Sequence, residues 1–176
     1  MKAVNIIREQ HRLATLQQLA AKPHRTRIVH LDNIRSIGII LSCLTDEEQV
    51  TVSQFMHHMT DRGIMVRKIE LPTNAETLLD KQGFPKQEFT QLFTSYHYDL
   101  LINATPTDDL FGLYLSLSSS SNLRVAYQDT TLPTQDITLT TYDLLIRGNG
   151  PLILSQYLTD LLNILLQIRK NRTKRN

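Results

Sequence analysis

One cysteine, Cys43, stands in 176 residues, so no intramolecular disulfide can form, and no Cys/His spacing matches a zinc site. That usage suits a reducing compartment, and a cytoplasmic protein is expected. Long apolar runs are also missing. No stretch approaches the roughly 18 residues that a membrane span needs. The opening MKAVNIIREQHRLATL is broken by charge before a signal core can form, so neither secretion nor membrane spanning is expected. Catalytic signatures are absent as well: there is no GxxxxGK[ST], no GxSxG and no HExxH. No catalytic residue, metal ligand or cofactor is assigned. The adjacent His57 and His58 point about 100° apart on a helix and cannot chelate one ion together.

What is present is an uneven charge. The net charge is +2, but residues 1–35 hold seven Lys/Arg against Glu9 and Asp32, giving +5. Residues 166–176 hold Arg169, Lys170, Arg172, Lys174 and Arg175 without an acid, again +5, which leaves the middle at −8. A mildly acidic body between two basic ends can attract a polyanion locally. Solvated helix ends would show the same composition. No aromatic residues interleave with the basic ones, so stacking on single-stranded bases is not indicated.

A hydrophobic content of 41% fits one globular domain. Residues 3–21 read as a moderately amphipathic helix with Ile6, Leu13, Leu16 and Ala20 on one stripe, ended by Pro23, and 22–35 reads as a basic connector. SIGIILSC (36–43) has the β-branched apolar character of a strand buried on both faces. Thr45 to Glu48 forms a capping box, opening a helix that ends at Gly63. IMVRKIEL (64–71) is a second strand and 86–96 a short helix. A helix from Thr105 to Asp109 onward is expected to fray in the run Ser118 to Ser121, ahead of the strand LRVAY (123–127). QDTTLPTQDITLTT reads as a loop or an exposed edge strand. The last helix is placed from Pro151 to Ile168, with Leu154, Tyr157, Leu158, Leu161, Leu162, Leu165 and Ile168 at helical spacing. Strands alternating with helices predict an α/β fold, a three-layer Rossmann-like sandwich with a mostly parallel sheet of about five strands. The expected division is a basic N-terminal helix and connector (1–35), the α/β domain (36–168) and a basic tail (169–176).

The pentapeptide YDLLI occurs twice, at 98–102 and 142–146. Leu-Leu-Ile suits a central parallel strand, with Tyr and Asp facing the rim. Ligands of open α/β sheets bind outside the carboxyl ends of the strands, which singles out Ser42 to Glu48, Asn103 to Asp109 and Arg147 to Pro151. Asp46, Glu47 and Glu48 would repel an anion in the first loop, where Cys43 reads as a small buried hydrophobe rather than a nucleophile. Asp108 and Asp109 do the same in the second, and no third ligand accompanies them for a metal. Arg147-Gly148-Asn149-Gly150 precedes a helix whose first acid is Asp160, so an anion would be tolerated there. A glycine turn with Pro151 as first helical residue explains the same residues without a ligand.

SIGIILSCLTDEEQVTVSQF, GFPKQEF and YDLLINATPTDDLFGLYLSLSSSSNLRVAY resemble a family of small bacterial proteins of unknown function, over residues 25–168. The resemblance implies a Rossmann-like fold and a cytoplasmic protein, and no activity. More distantly, YDLLINA, the following helix and LRVAY are similar to the N-terminal half of heptosyltransferase-type glycosyltransferases. The second, nucleotide-sugar-binding domain of those enzymes has no counterpart here, and Asn103 stands where they commonly have Asp.

Three functions are therefore expected in competition. The first is a non-enzymatic binding module held to RNA or the ribosome by Lys2, Arg8, Arg12, Lys22, Arg25 and Arg27 at one end and Arg169, Lys170, Arg172, Lys174 and Arg175 at the other. The second is a small-molecule or nucleotide-sugar site at the strand ends, lined by Asn103, Thr105, Thr107, Gly148, Asn149 and Gly150. The third is a homodimer or partner scaffold formed through the long C-terminal helix.

Overall fold

The computed structural model describes residues 2–24, 26–27, 30–73, 75–107, 109–133 and 136–173, with the side chains of 2–8, 75 and 169–173 outside the description. Helix α1 (Lys2–Ala20) leads through a single 3-10 turn (Leu31–Asn33) into β1 (Ser36–Ser42), α2 (Asp46–Asp61) and β2 (Met65–Leu71). A second 3-10 turn (Ala75–Leu78) precedes α3 (Gln87–Thr94), β3 (His97–Asn103), α4 (Leu110–Ser118) and β4 (Ser120–Asp129). Then come α5 (Asp136–Thr141), β5 (Leu144–Gly148) and α6 (Leu154–Thr173). The five strands form one sheet in the order β2-β1-β3-β4-β5, and every neighbouring pair is parallel. The α/β expectation is met, with a sheet parallel throughout.

The strand sequences dictate the layers because alternate side chains point to opposite faces. Ile37, Ile39, Leu41, Leu100, Ile102 and Val125 pack with Val52, Phe55 and Met59 of α2 and Tyr157, Leu161 and Leu165 of α6. Ile40 and Leu101 pack with Phe93 of α3 and Phe111 and Leu115 of α4. On that second side Ala126 meets Leu113, Leu117, Tyr142 and also Leu16 of α1, which is 2% exposed. Of the predicted α1 stripe, Leu13 is exposed and the Ile6 side chain lies outside the described residues.

The capping box at α2 forms as predicted: Thr45 Oγ1 accepts from Glu48 N at 3.2 Å, and Thr45 N donates to Glu48 Oε2 at 2.8 Å. Five local expectations need correction. DITLTT is neither loop nor edge strand but α5, because β4 and β5 are parallel and need a crossover between them. The serine run divides, Ser118 ending α4 and Ser120 and Ser121 pairing with His97 and Tyr98 as the start of β4. Helix α6 begins at Leu154, so Pro151 precedes the helix instead of opening it. It continues to Thr173, which puts the backbone of Arg169, Lys170 and Arg172 in a helix and not in a tail. Cys43 is exposed, with φ +46°, because the chain turns sharply there between the last β1 residue and the Thr45 cap.

The fifth correction concerns the pentapeptide. Tyr98 and Tyr142 do not face the rim; they are 0% and 8% exposed, since a phenol ring is mainly apolar and its hydroxyl can find a partner inside. Tyr98 donates to Phe93 O at 2.7 Å. The aspartates do sit at strand starts, where each takes up neighbouring backbone amides. Asp99 accepts from Arg35 N and Ser36 N (2.8 and 3.1 Å), and Asp143 from Arg124 N (2.7 Å). Leu100, Leu101 and Ile102 are buried, whereas Leu144 and Leu145 are half-buried because β5 is an edge strand.

Candidate anion-binding groove

In a 2-1-3-4-5 order the chain switches direction between β1 and β3, and their carboxyl ends form the crevice where such sheets bind ligands. Here the β3 side of that crevice is taken up by the protein's own contacts. Asn103 and Thr105 are buried. Thr105 donates to Asn103 Oδ1 through its amide (3.1 Å) and hydroxyl (2.9 Å), and Asn103 Nδ2 donates to Tyr142 OH at 2.6 Å. Tyr142 OH donates to Ser116 Oγ (3.1 Å), and Tyr157 OH donates to Asn103 O (3.1 Å). Burial pushes Tyr142 up to about 12 and Tyr157 well above the usual tyrosine value. Asp109 caps α4 by accepting from Phe111 N at 2.9 Å, while Asp108 lies outside the described residues.

The Arg147–Pro151 turn is likewise tied down. Asp129 Oδ1 accepts from Gly150 N (3.1 Å) and from Thr131 N and Oγ1 (2.8 and 2.6 Å), so a carboxylate of the chain already occupies that amide. The Thr131 hydroxyl, followed by the Thr131 and Gly150 amides, holds Asp129 below the ordinary carboxylate range. Gly150 has φ +129°, a conformation that favours glycine. Tyr127 OH donates to Gly150 O (2.6 Å), Thr107 Oγ1 accepts from Asp129 N (2.8 Å), and Thr130 donates to Gly148 O (2.9 Å). Asn149 is exposed.

The opposite rim differs. Where α1 ends, the connector passes under the sheet: Arg27 N donates to Asn122 O (2.9 Å), and His24 Nε2 stands 3.0 Å from Asp143 Oδ2. Thr26 also donates to Asp143. Between the connector, the end of α4 and the first residues of β3 and β4 lies an open groove of about 500 Å³. Lys22, Arg27, Arg124, His24 and His97 line it together with Ser118, Ser119, Ser120 and Ser121. Ser119, Ser121 and Arg124 are 3%, 6% and 9% exposed. The hydroxyls of Ser118, Ser119 and Ser121 and Nε of Arg124 are buried, with no hydrogen-bond partner among the described residues. A buried polar group left in that state costs about 1–3 kcal/mol, so four along one groove call for an acceptor.

Arg124 spends one donor on the fold, its Nη2 giving a hydrogen bond to Ser119 O at 3.1 Å at the carbonyl end of α4. Burial lowers its pKa against the pull of Asp143 and Tyr142, yet a guanidinium stays cationic at neutral pH. His97 bonds across the strands to Ser120 Oγ (2.7 Å) and Asn122 Oδ1 (3.1 Å). Asn122 Nδ2 donates onward to Asp99 (3.0 Å).

Of the cations singled out from sequence, Lys22 and Arg27 meet in this groove. Arg12 is turned to Gln82 O instead. The side chains of Lys2, Arg8, Arg169, Lys170 and Arg172, and all of Arg25, Lys174 and Arg175, lie outside the described residues. Helix α6 runs back from the carboxyl rim, where Tyr157 meets Asn103, to Leu165, which clusters with Leu31 and Ile34 just before β1. Its last eight residues carry the helix backbone about 12 Å farther in that direction. Leu154, Tyr157, Leu158, Leu161 and Leu165 are buried within the chain.

Sequence reasoning passed over His24, His97, Arg124 and the four serines. The available signals were an arginine inside the apolar strand LRVAY and four consecutive serines beside it. Among the described residues no helix is long and apolar enough to cross a membrane. No curated protein and no solved structure matches the chain. One family pattern does, over residues 8–147, from within α1 to β5 and so across the whole groove. The chain belongs to that family, DUF6913, a family of unknown function.

Proposed function

We propose that this chain is a non-enzymatic binding module that holds a polyanion, RNA, along the amino-terminal rim of its sheet. The observation that carries the reading is the groove, in which Lys22, Arg27 and Arg124 stand beside buried donors without partners. The carboxylates nearest to it are already engaged, Asp143 by His24, Thr26 and the Arg124 amide, and Asp99 by Asn122 and the start of β1. At the other rim Asp46, Glu47 and Glu48 fill the first turn of α2, which disfavours an anion there.

Fluorescence anisotropy of a labelled RNA 20-mer tests this. Contacts from about four cations give a log–log salt slope near −3, so affinity should fall roughly fiftyfold from 50 to 200 mM salt. Lys22→Glu and Arg27→Glu should each weaken binding and flatten the slope, and removal of residues 169–176 should do so too. Salt-independent binding, or binding untouched by all three changes, refutes the proposal.

A further inference from the structure

We infer that the inner wall of the groove, formed by Ser118, Ser119, Ser121 and Arg124, seats a terminal phosphate monoester, so that the module recognises phosphorylated RNA ends. This deepens the RNA reading and rests on it. The unpartnered groups set the chemistry. Arg124 Nε can only donate, the three hydroxyls are each able to donate, and all four belong to residues that line the same groove. A phosphate monoester offers three terminal oxygens and nearly two charges. An internal diester offers two oxygens and one charge, so it satisfies fewer of these donors.

The arrangement of charge agrees. Ser119, Ser121 and Arg124 are buried, whereas Lys22 and Arg27, lining the same groove, are exposed. A terminal phosphate at the wall would leave those two cations facing the following phosphates of the strand. About 500 Å³ exceeds what a phosphate group fills and leaves space for the attached nucleoside.

The test uses the full chain and one RNA sequence carrying a 5′-phosphate, a 3′-phosphate or hydroxyls at both ends. At least one phosphorylated form should bind about tenfold or more tightly than the hydroxyl form, as expected for added charge-assisted hydrogen bonds. The double variant Ser119→Ala/Ser121→Ala should lose that preference with a melting temperature no lower than that of the native chain, since it deletes two unpartnered buried hydroxyls. Equal binding of all three RNAs overturns the inference and leaves the RNA reading intact. Binding of a nucleoside monophosphate without binding of any RNA keeps the phosphate seat and removes the RNA reading. If neither RNA nor nucleoside monophosphate binds, both fall.

Discussion

Replacing Tyr142 with Phe removes one oxygen from the centre of the buried network that closes the carboxyl rim. The hydroxyl accepts from Asn103 Nδ2 (2.6 Å) and donates to Ser116 Oγ (3.1 Å). Ser116 keeps a partner after the change, because its own hydroxyl donates to Gly112 O at 2.8 Å. Asn103 does not: its Oδ1 remains held by Thr105, but its Nδ2 loses the acceptor it has there. Two lost hydrogen bonds at about 1 kcal/mol each, plus the cost of an orphaned amide, give a loss of about 2–4 kcal/mol. In a chain of this size that lowers the melting temperature by roughly 5–15 °C. Tyr98→Phe is the internal control. It removes a single bond to Phe93 O, and that carbonyl also accepts from Ser95 N, so about 1 kcal/mol is expected. Urea denaturation followed by circular dichroism measures both. A Tyr142→Phe loss no larger than that of Tyr98→Phe would show that the network contributes nothing beyond ordinary burial.

Gly112→Ala should destabilise by about 1–3 kcal/mol although Ala is the better helix former, because its Cβ would run into Thr105 Oγ1 and both polar atoms of Asn103; an unchanged urea midpoint would contradict this. Alkali should weaken the fold. Burial pushes Tyr98 and Tyr142 up to about 12, so the stability they contribute is complete below the unfolded value of 10 and is lost as pH rises toward 12. Unfolding at pH 11 should need roughly 3 kcal/mol less than at pH 9, and a flat profile would exclude their protonated burial. Asp129 has the opposite sign: its pKa is lowered from 3.8, so its contribution is present above that value and fades as pH falls through the folded one. The stability gap between the native chain and Asp129→Asn should therefore narrow between pH 6 and pH 2.5, and a constant gap would speak against a charged Asp129 in the turn.

The parts of this fold that are legible in sequence rest on local pattern. SIGIILS and YDLLI carry their burial in their own composition, the Thr45–Glu48 box spans one turn, and α6 shows its apolar face at helical spacing. What is illegible depends on partners distant along the chain. DITLTT has too weak a period to declare itself, and it becomes α5 only because β5 must lie parallel to β4. The serine run looks like a fraying helix end until β3 is set beside it, with His97 opposite Ser120 and Tyr98 opposite Ser121. The groove needs a still longer reach, since the connector meets β4 through the Arg27–Asn122 bond. Lys22 and Arg27 were visible as charges, while the wall they face was not.

The two YDLLI copies explain why the rim where this fold usually binds ligands is a poor place for one here. Asn103 directly follows the first copy, and the second begins with Tyr142, whose hydroxyl accepts from the Asn103 side-chain amide. One copy thus seals the carboxyl end of the other. With Asn103 and Thr105 satisfied internally and Gly150 held by Asp129, a ligand at that crevice would have to displace hydrogen bonds before making its own. At the amino-terminal rim Asp99 and Asp143 accept from backbone amides at strand starts, but among the described residues nothing comparable answers Ser119, Ser121 and Arg124 Nε. Binding there removes a polar deficit and breaks no hydrogen bond of those atoms. That asymmetry in cost favours an anion at the rim opposite to the one the fold class predicts.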